Sequence, residues 1–182
     1  MKLRLALAMS ALVLLAACSG ESGLEAPKPQ TLTSEAIGRY CGMNVLEHPG
    51  PKGQIMLGQI PEPIWFSSAR DAVAFTMLPE EPKDISAIYV SDMASASSWE
   101  EPGPANWIDA RQAYYVIGSA MRGGMGAPET VPFSTQAAAA RFAGDNGGQV
   151  VSFADIPRDY VLGTDETGAT ANPTPETTGA TD

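Results

Sequence analysis

The chain has 182 residues, a formal net charge of −10 and two cysteines. This acidity argues against binding to nucleic acid or adsorption to anionic lipid, and it favours attraction of cations or of a basic partner surface. The sequence lacks the motifs of metallohydrolases, serine hydrolases and Walker-type phosphate loops, so we do not expect an enzyme.

The N-terminus has the pattern of a secretion signal. Lys2 and Arg4 precede an apolar run over residues 5–17, which is shorter than the roughly 20 residues that a membrane span needs. The run ends in Ala16-Ala17-Cys18-Ser19, which resembles a bacterial lipoprotein signal, in which lipid alkylates the cysteine sulfur. We therefore predict a signal peptide over residues 1–17, lipidation at Cys18, and a mature protein held to a membrane by lipid.

Two segments are predicted to lack order. Residues 18–36 are predicted to form a lipidated flexible tether, because residues 19–30 are rich in Ser, Gly, Glu, Pro and Lys. Residues 163–182 are predicted to form a disordered acidic tail, since they have too few apolar side chains to build a core. The remainder is long enough for one domain, or for two small halves that share a core.

The central part of the chain repeats itself. Phe66-Ser67-Ser68 and, later, Phe133-Ser134-Thr135 each precede an alanine-rich run, and Ser or Thr at that place favours a helix N-cap. Strand-like pieces flank both runs, which predicts an α+β fold of two similar ββαβ units in tandem over residues 37–93 and 108–162. The linker, residues 94–107, is expected to be clamped onto the units by Trp99 and Trp107; a partner-contact patch is the alternative.

Cys41 is the candidate metal ligand. If Cys18 is lipidated, Cys41 has no disulfide partner, and it stands in Tyr40-Cys41-Gly42-Met43. In an extended chain Cys41 and Met43 point the same way with Cα atoms roughly 6.6 Å apart, and Gly42 allows an ion to approach the backbone. Soft sulfur ligands select Cu(I). The alternative is an inert buried cysteine packed beside a core methionine.

A third donor is sought elsewhere in the chain. Met125 stands in a glycine-rich, exposed-looking loop where core packing explains a hydrophobic residue poorly, so it is the first choice. Met93 and His48 remain alternatives, whereas Met56 and Met77 lie in apolar runs and are expected in the core. A Cys41–His48 nucleophile is disfavoured because no orienting third group can be named.

Several ordered motifs together closely resemble the NosL family, the accessory lipoproteins of nitrous-oxide reductase. The resemblance spans about residues 37–162 and rests on these runs: Tyr40-Cys41-Gly42-Met43-Asn44-Val45, Glu47-His48-Pro49-Gly50-Pro51-Lys52-Gly53-Gln54-Ile55, Trp65-Phe66-Ser67-Ser68-Ala69-Arg70-Asp71-Ala72, Ile88-Tyr89-Val90-Ser91-Asp92-Met93, Trp107-Ile108-Asp109-Ala110 and Gly123-Gly124-Met125-Gly126-Ala127-Pro128.

The resemblance implies a periplasmic, lipid-anchored Cu(I) metallochaperone that supplies the copper centres of nitrous-oxide reductase and docks to a membrane ABC-type transporter. It also implies a fold similar to two ββαβ units. The family's C-x-M motif falls on Cys41 and Met43, and Met125 best fits a third sulfur from the second unit. A lipoprotein that scaffolds the reductase complex without holding metal is the alternative. Anchorage in the inner or the outer membrane is left open.

Overall fold

The structure is a computed structural model, and it describes residues 26–163. The predicted signal peptide, the lipidation site Cys18, the first part of the predicted tether and the tail beyond Gly163 lie outside the described residues. Within residues 26–163, no helix has both the length and the apolar character needed to cross a membrane.

Seven strands, three α-helices and two short 3-10 helices make up the described chain. In order, the strands and α-helices are β1 (Gly53–Leu57), β2 (Ile60–Phe66), α1 (Ala69–Met77), β3 (Ile85–Ser91), β4 (Trp107–Asp109), β5 (Tyr114–Ile117), β6 (Val131–Phe133), α2 (Gln136–Asn146), β7 (Gln149–Ser152) and α3 (Arg158–Leu162). The 3-10 helices cover Val45–Glu47 and Phe153–Asp155.

The two predicted ββαβ units are present and have matching topology. The first sheet has the order β2-β1-β3-β4 and the second β6-β5-β7, so each unit places the first strand of its hairpin between the other two. All pairings between these strands are antiparallel. The α+β fold with two similar units is therefore confirmed.

The unit boundary differs from the prediction because β4 extends the first sheet. Ile108 pairs with Val90 of β3, although residues 108–162 were assigned to the second unit. The first unit thus continues through Asp109, since the free edge of β3 accepts another strand more readily than a short piece of chain can form a sheet alone.

The two longer helices, α1 and α2, both begin directly after the predicted capping residues. The Ser68 side chain accepts a hydrogen bond from the Asp71 N–H at 3.0 Å, and the Thr135 side chain accepts one from the Ala138 N–H at 3.3 Å. Each cap satisfies an N–H group that the first turn of a helix otherwise leaves unpaired. The shared sequence pattern therefore has the same local physical cause in both units.

The two units share one hydrophobic core. Phe66 and Phe75 of the first unit belong to the same buried cluster as Tyr115 and Val161 of the second. A smaller cluster under α2 includes Phe133, and there Trp99 from the linker stacks on Phe142 with ring centroids 6.4 Å apart. Trp99 thus clamps the linker to the second unit, as the sequence led us to expect.

The predicted tether is too long at its C-terminal end. Leu32 and Ala36 are buried with Val45, and the Leu32 N–H donates to the Pro104 carbonyl at 2.8 Å. Gln54, buried in β1, exchanges two hydrogen bonds with the Gln30 backbone. The prediction of a flexible segment through residue 36 is therefore wrong for residues 30–36, because two apolar side chains and a buried amide hold them to the domain.

Leu32→Ala is expected to lower the free energy of unfolding by about 2–4 kcal/mol, because it removes a buried side chain and leaves a cavity. Leu46→Ala is the matched control: Leu46 is 47% exposed whereas Leu32 is 5% exposed. Chemical denaturation of the mature protein measures both variants. Equal effects would show that the packing of Leu32 contributes nothing.

Candidate metal site

The segment that carries Cys41 is a tight turn. The Gly42 N–H donates to the Gly38 carbonyl and the Gly38 N–H donates to the Met43 carbonyl, both at 2.9 Å. Gly42 has φ +67°, the left-handed conformation that glycine adopts without steric cost. The predicted extended geometry is therefore wrong. Cys41 is half-buried, and Met43 is 41% exposed at the end of the turn.

Gly38 makes room for the Cys41 sulfur. A Cβ atom at position 38 would lie only 2.6 Å from Cys41 Sγ, which is closer than real contacts allow. The absence of a side chain lets the sulfur lie against the backbone inside its own turn. Cys41 Sγ also lies 3.9 Å from the Met43 carbonyl oxygen. The turn therefore holds the thiol near the surface rather than in the core.

A buried carboxylate fixes the Cys41 turn to the first unit. Glu81, which follows α1, accepts hydrogen bonds from Arg39 Nη2 and the Tyr40 hydroxyl, each at 3.1 Å. Burial, followed by the hydrogen bond to Glu81, raises the pKa of Tyr40 above its usual value. The Tyr40 ring packs on Phe66. The two residues before Cys41 are thus immobilised, which restricts where the sulfur can go.

His48 lies beside Cys41. The distance from Cys41 Sγ to His48 Nε2 is 4.0 Å, and the imidazole is partly buried. The 3-10 helix Val45–Glu47 turns the chain back between them, and the Asn44 side chain caps this helix by accepting from the Leu46 N–H. The structure thus places His48, one of the alternative third donors of the sequence analysis, next to the Cys41 thiol.

Met125 lies at the tip of a tight loop in the second unit. The Gly126 N–H donates to the Gly123 carbonyl at 2.8 Å, and the Gly123 N–H donates to the Ala127 carbonyl at 3.0 Å. Gly126 has φ +77°, so the turn needs glycine there. Met125 is 55% exposed. The expectation that Met125 occupies an exposed glycine loop is confirmed.

The Met125 loop rests on His48. A Cβ atom at Gly124 would lie 2.5 Å from His48 Cβ and 3.1 Å from His48 Nδ1, so the Gly124 backbone packs against the His48 side chain only because residue 124 has no side chain of its own. This contact joins the second unit to the first at the imidazole. His48 Nε2 in turn lies 4.0 Å from Cys41 Sγ, so the Met125 loop lies next to the pair formed by Cys41 and His48.

The other methionines are placed differently. Met93 packs against the cluster under α2, and its N–H donates to the Pro132 carbonyl at 3.0 Å. Met56 is buried and Met77 packs against the main core, as expected from their apolar runs. The geometry thus favours Met125 or His48 over Met93 as the third donor.

The combined site contains a thiol, an imidazole and two exposed thioethers. Among residues 26–163 there is no group of three or more His, Cys, Asp or Glu placed to hold a metal ion. Three of these four candidate donors are sulfur atoms, the ligand type that suits Cu(I). Three further exposed large apolar side chains lie close to Cys41 and Met43 in the sequence: Ile37, Tyr40 and Leu46.

Two buried charged side chains lie behind the donor loops. Burial lowers the pKa of Lys52 to about 8, although Glu129 opposes that shift. Burial likewise raises the pKa of Glu129 to about 8, against its hydrogen bonds from backbone N–H groups and the charge of Lys52. Desolvation therefore dominates at both groups, and each partly compensates the other.

Comparisons with known proteins settle the family. A family model described as NosL matches residues 29–161, which is most of the chain. The chain belongs to the NosL family. A copper-binding lipoprotein NosL of Achromobacter cycloclastes is 51% identical over 169 residues, covering 92% of this chain and 87% of that protein. One of Stutzerimonas stutzeri is 36% identical over 116 residues, covering 64% and 59% respectively.

A solved NosL structure has the same fold. The crystal structure of the copper chaperone NosL from Shewanella denitrificans superposes with a TM-score of 0.67 at 32% sequence identity, covering 71% of this chain and 95% of that one. The resemblance to the NosL family that the sequence motifs indicated is therefore confirmed, together with the fold that it implied.

In this member of the NosL family, three buried residues of the site escaped the sequence analysis. Glu81, Lys52 and Glu129 each lie behind a loop that carries a candidate donor, and nothing local in the sequence marks them. The proximity of His48 to Cys41 had a weak signal, because Gly42 and the Pro49-Gly50 pair permit the chain to turn on both sides of the segment between them.

Proposed function

We propose that this chain is a lipid-anchored periplasmic carrier that binds Cu(I) and delivers it for assembly of the copper centres of nitrous-oxide reductase. The observation that carries the proposal is the convergence of the Cys41 turn, His48 and the Met125 loop at one surface. The names of the relatives, copper-binding lipoprotein and copper chaperone, support the same ion.

The proposed ligands are Cys41, Met43 and Met125, with His48 as a fourth donor within reach. Cys41 supplies the thiolate, so uptake of the ion releases a proton. Met43 and Met125 supply neutral thioethers from the two units, and both are exposed enough to swing onto an ion held at Cys41. His48 Nε2, at 4.0 Å from the sulfur, can share an ion with it after a small movement.

The site suits transfer rather than storage. Its donors lie at loop tips on the surface, so a methionine or histidine of a partner can approach an ion from solvent. The ion then passes through an intermediate in which both proteins contribute ligands, and it is never free in water. The exposed apolar side chains close to Cys41 and Met43 in the sequence favour a dry contact with the partner during that exchange.

The lipid on Cys18 places the carrier at a membrane. Tethering raises its effective concentration near a membrane-bound partner without any new contact. The proposed partners are nitrous-oxide reductase and the ABC-type transporter of its assembly pathway. The chain's acidity suits a basic partner surface, because opposite charges speed association.

The test is an anaerobic competition titration of the mature protein, purified in detergent, against a chromogenic Cu(I) chelator. We expect a single Cu(I) ion per chain, with X-ray absorption dominated by sulfur scatterers. Binding far below one equivalent would overturn the proposal and would favour a lipoprotein that scaffolds the reductase complex without metal.

Met125→Leu is expected to weaken Cu(I) binding by about tenfold or more, about 1.4 kcal/mol, because it removes a thioether donor while nearly conserving volume. Met93→Leu is the matched control, since that thioether lies in the second-unit core. The same titration measures both variants. If Met93→Leu lost the affinity and Met125→Leu kept it, Met93 would be the third ligand.

A further inference from the structure

The geometry of the proposed site depends on how the two units meet. His48 belongs to the first unit and Met125 to the second, and the loops touch at Gly124. Donors to one metal ion must converge to within a fraction of an ångström, so loops from different units need support from behind. Two buried side chains, Lys52 and Glu129, occupy the positions that can provide it.

Lys52 holds the His48 loop from the inside. It is 2% exposed, and its ammonium group donates to three successive carbonyl oxygens, of His48, Pro49 at 3.0 Å and Gly50 at 2.7 Å. An ammonium has three donors and no acceptor, so its hydrogen-bonding capacity is entirely spent on this loop. The Lys52 backbone is fixed in turn to Ser91 of β3 by two hydrogen bonds at 3.0 Å.

Glu129 supports the Met125 loop and joins it to the first unit. It is 1% exposed, and its Oε1 accepts from the Arg70 N–H in the first turn of α1 at 2.8 Å and from the Thr130 N–H at 2.9 Å. Oε2 faces Gly123, where a Cβ atom would lie only 2.5 Å away. The carboxyl group is thus wedged between the start of α1 and the base of the Met125 loop.

The second carboxyl oxygen of Glu129 makes no hydrogen bond that would stabilise the fold. Glu129 Oε2 is buried and has no hydrogen-bond partner. An orphaned buried acceptor destabilises a fold, so stability alone does not account for a carboxylate at this position. The charge of Lys52 lowers the pKa of the Glu129 carboxyl group, and the charge of Glu129 raises the pKa of Lys52, so each group favours the charged form of the other.

We propose that Lys52 and Glu129 are positioning residues that set the separation between His48 and Met125 and thereby the affinity of the copper site. Lys52 shapes the loop of the first unit, and Glu129 holds the loop of the second unit against α1. This inference rests on the proposed function, because it assigns the two residues to the same metal site.

Lys52→Leu and Glu129→Gln test the inference in the mature protein, by Cu(I) competition titration together with the thermal unfolding midpoint. Each replacement removes the charge and keeps most of the shape. Residues that orient metal ligands typically change affinity by about ten- to a hundredfold, and we expect a loss in that range. X-ray absorption should show fewer donors around the ion.

The matched controls make the same chemical changes away from the site. Lys83→Leu removes another ammonium that donates to backbone carbonyls, those of Thr76 and Leu78, and Glu62→Gln removes an exposed carboxylate. Both are expected to leave the affinity unchanged. If they weakened binding as much as the test variants do, net charge would explain the effect and the inference would fail.

Combined variants separate positioning from general destabilisation. If Glu129 acts through Met125, then Glu129→Gln lowers the affinity of the parent protein but has little further effect in a Met125→Leu background. An equal loss in both backgrounds would overturn the assignment. Unaltered affinity in Lys52→Leu and Glu129→Gln, while the parent binds Cu(I), would refute this inference alone. Failure of the parent to bind Cu(I) would refute the proposed function.

Gly123→Ala provides an independent test of the inference if the variant at Lys52 or the variant at Glu129 fails to fold. The added methyl group would press on Glu129, whose other oxygen is held by two N–H groups, so the Met125 loop has to move. We expect Gly123→Ala to bind Cu(I) more weakly than the parent protein, although it retains both Lys52 and Glu129. Unchanged affinity in this variant would show that the contact between Glu129 and the loop does not control the site.

Discussion

Replacing Cys41 with serine is expected to abolish Cu(I) binding, with a loss of about a thousandfold or more, about 4 kcal/mol. The hydroxyl is a hard donor that stays protonated, whereas the thiolate is the anionic soft ligand around which the other donors are neutral. Serine is small enough to enter the space that Gly38 leaves for the sulfur, so the turn should persist. The chelator competition titration gives the affinity.

The control for Cys41→Ser is a check that the variant keeps the fold of the parent protein. Circular dichroism and the thermal midpoint should match the parent protein, because the Arg39 and Tyr40 contacts with Glu81 hold the turn without the sulfur. If the serine variant still bound Cu(I) with parental affinity, the proposed site would be refuted, and the ion would have to be held elsewhere.

Gly124→Ala is expected to separate the two halves of the site and to weaken Cu(I) binding by about a hundredfold, about 2.7 kcal/mol. The new methyl group would lie 2.5 Å from His48 Cβ, and the imidazole ring atoms beyond it are scarcely farther away. The Met125 loop is therefore forced away from His48 and Cys41. The same titration measures the loss, and X-ray absorption should lose the contribution of Met125.

Gly144→Ala is the matched control for this substitution. Gly144 lies in α2 and faces open space, so the same added methyl group meets no atom within 4 Å. Alanine favours the helical conformation, and the variant should be slightly more stable than the parent while binding Cu(I) equally well. Parental affinity in Gly124→Ala would mean that the His48–Gly124 contact is irrelevant to the metal site.

The fold followed closely from local patterns in the sequence. Ser68 and Thr135 cap the two main helices because a side-chain oxygen next to an alanine-rich run satisfies free N–H groups wherever it occurs. The strands beside these helices could also be predicted, because their apolar runs are short and bounded by turns. The errors lay at junctions: β4 joined the first sheet, and residues 30–36 packed onto the domain.

The candidate site could be predicted from the sequence only in part. Cys41 and Met43 stood out because Cys41 has no disulfide partner if Cys18 is lipidated and lies two residues before a methionine, whereas Met125 stood out in a glycine-rich loop where core packing explains a hydrophobic residue poorly. The structure leaves Met43 and Met125 exposed and Cys41 half-buried. Their assignment as ligands stays a prediction. The predicted extended geometry of Cys41 and Met43 was wrong, because Gly42 adopts a left-handed conformation that reverses the chain.

The sequence by itself determined the family, the repeated ββαβ pattern and the soft donors, because these depend on residue type and on spacing along the chain. Only the tertiary structure decided that His48 lies against Cys41, that Gly124 packs on His48, and that Lys52 and Glu129 support loops from different units. The contacts of Gly124 with His48 and of Glu129 with Arg70 join residues distant in sequence through the packing of the two units, and local propensity carries no information about that packing. The contacts of His48 with Cys41 and of Lys52 with its loop are closer in sequence, but they depend on how the chain turns between the residues.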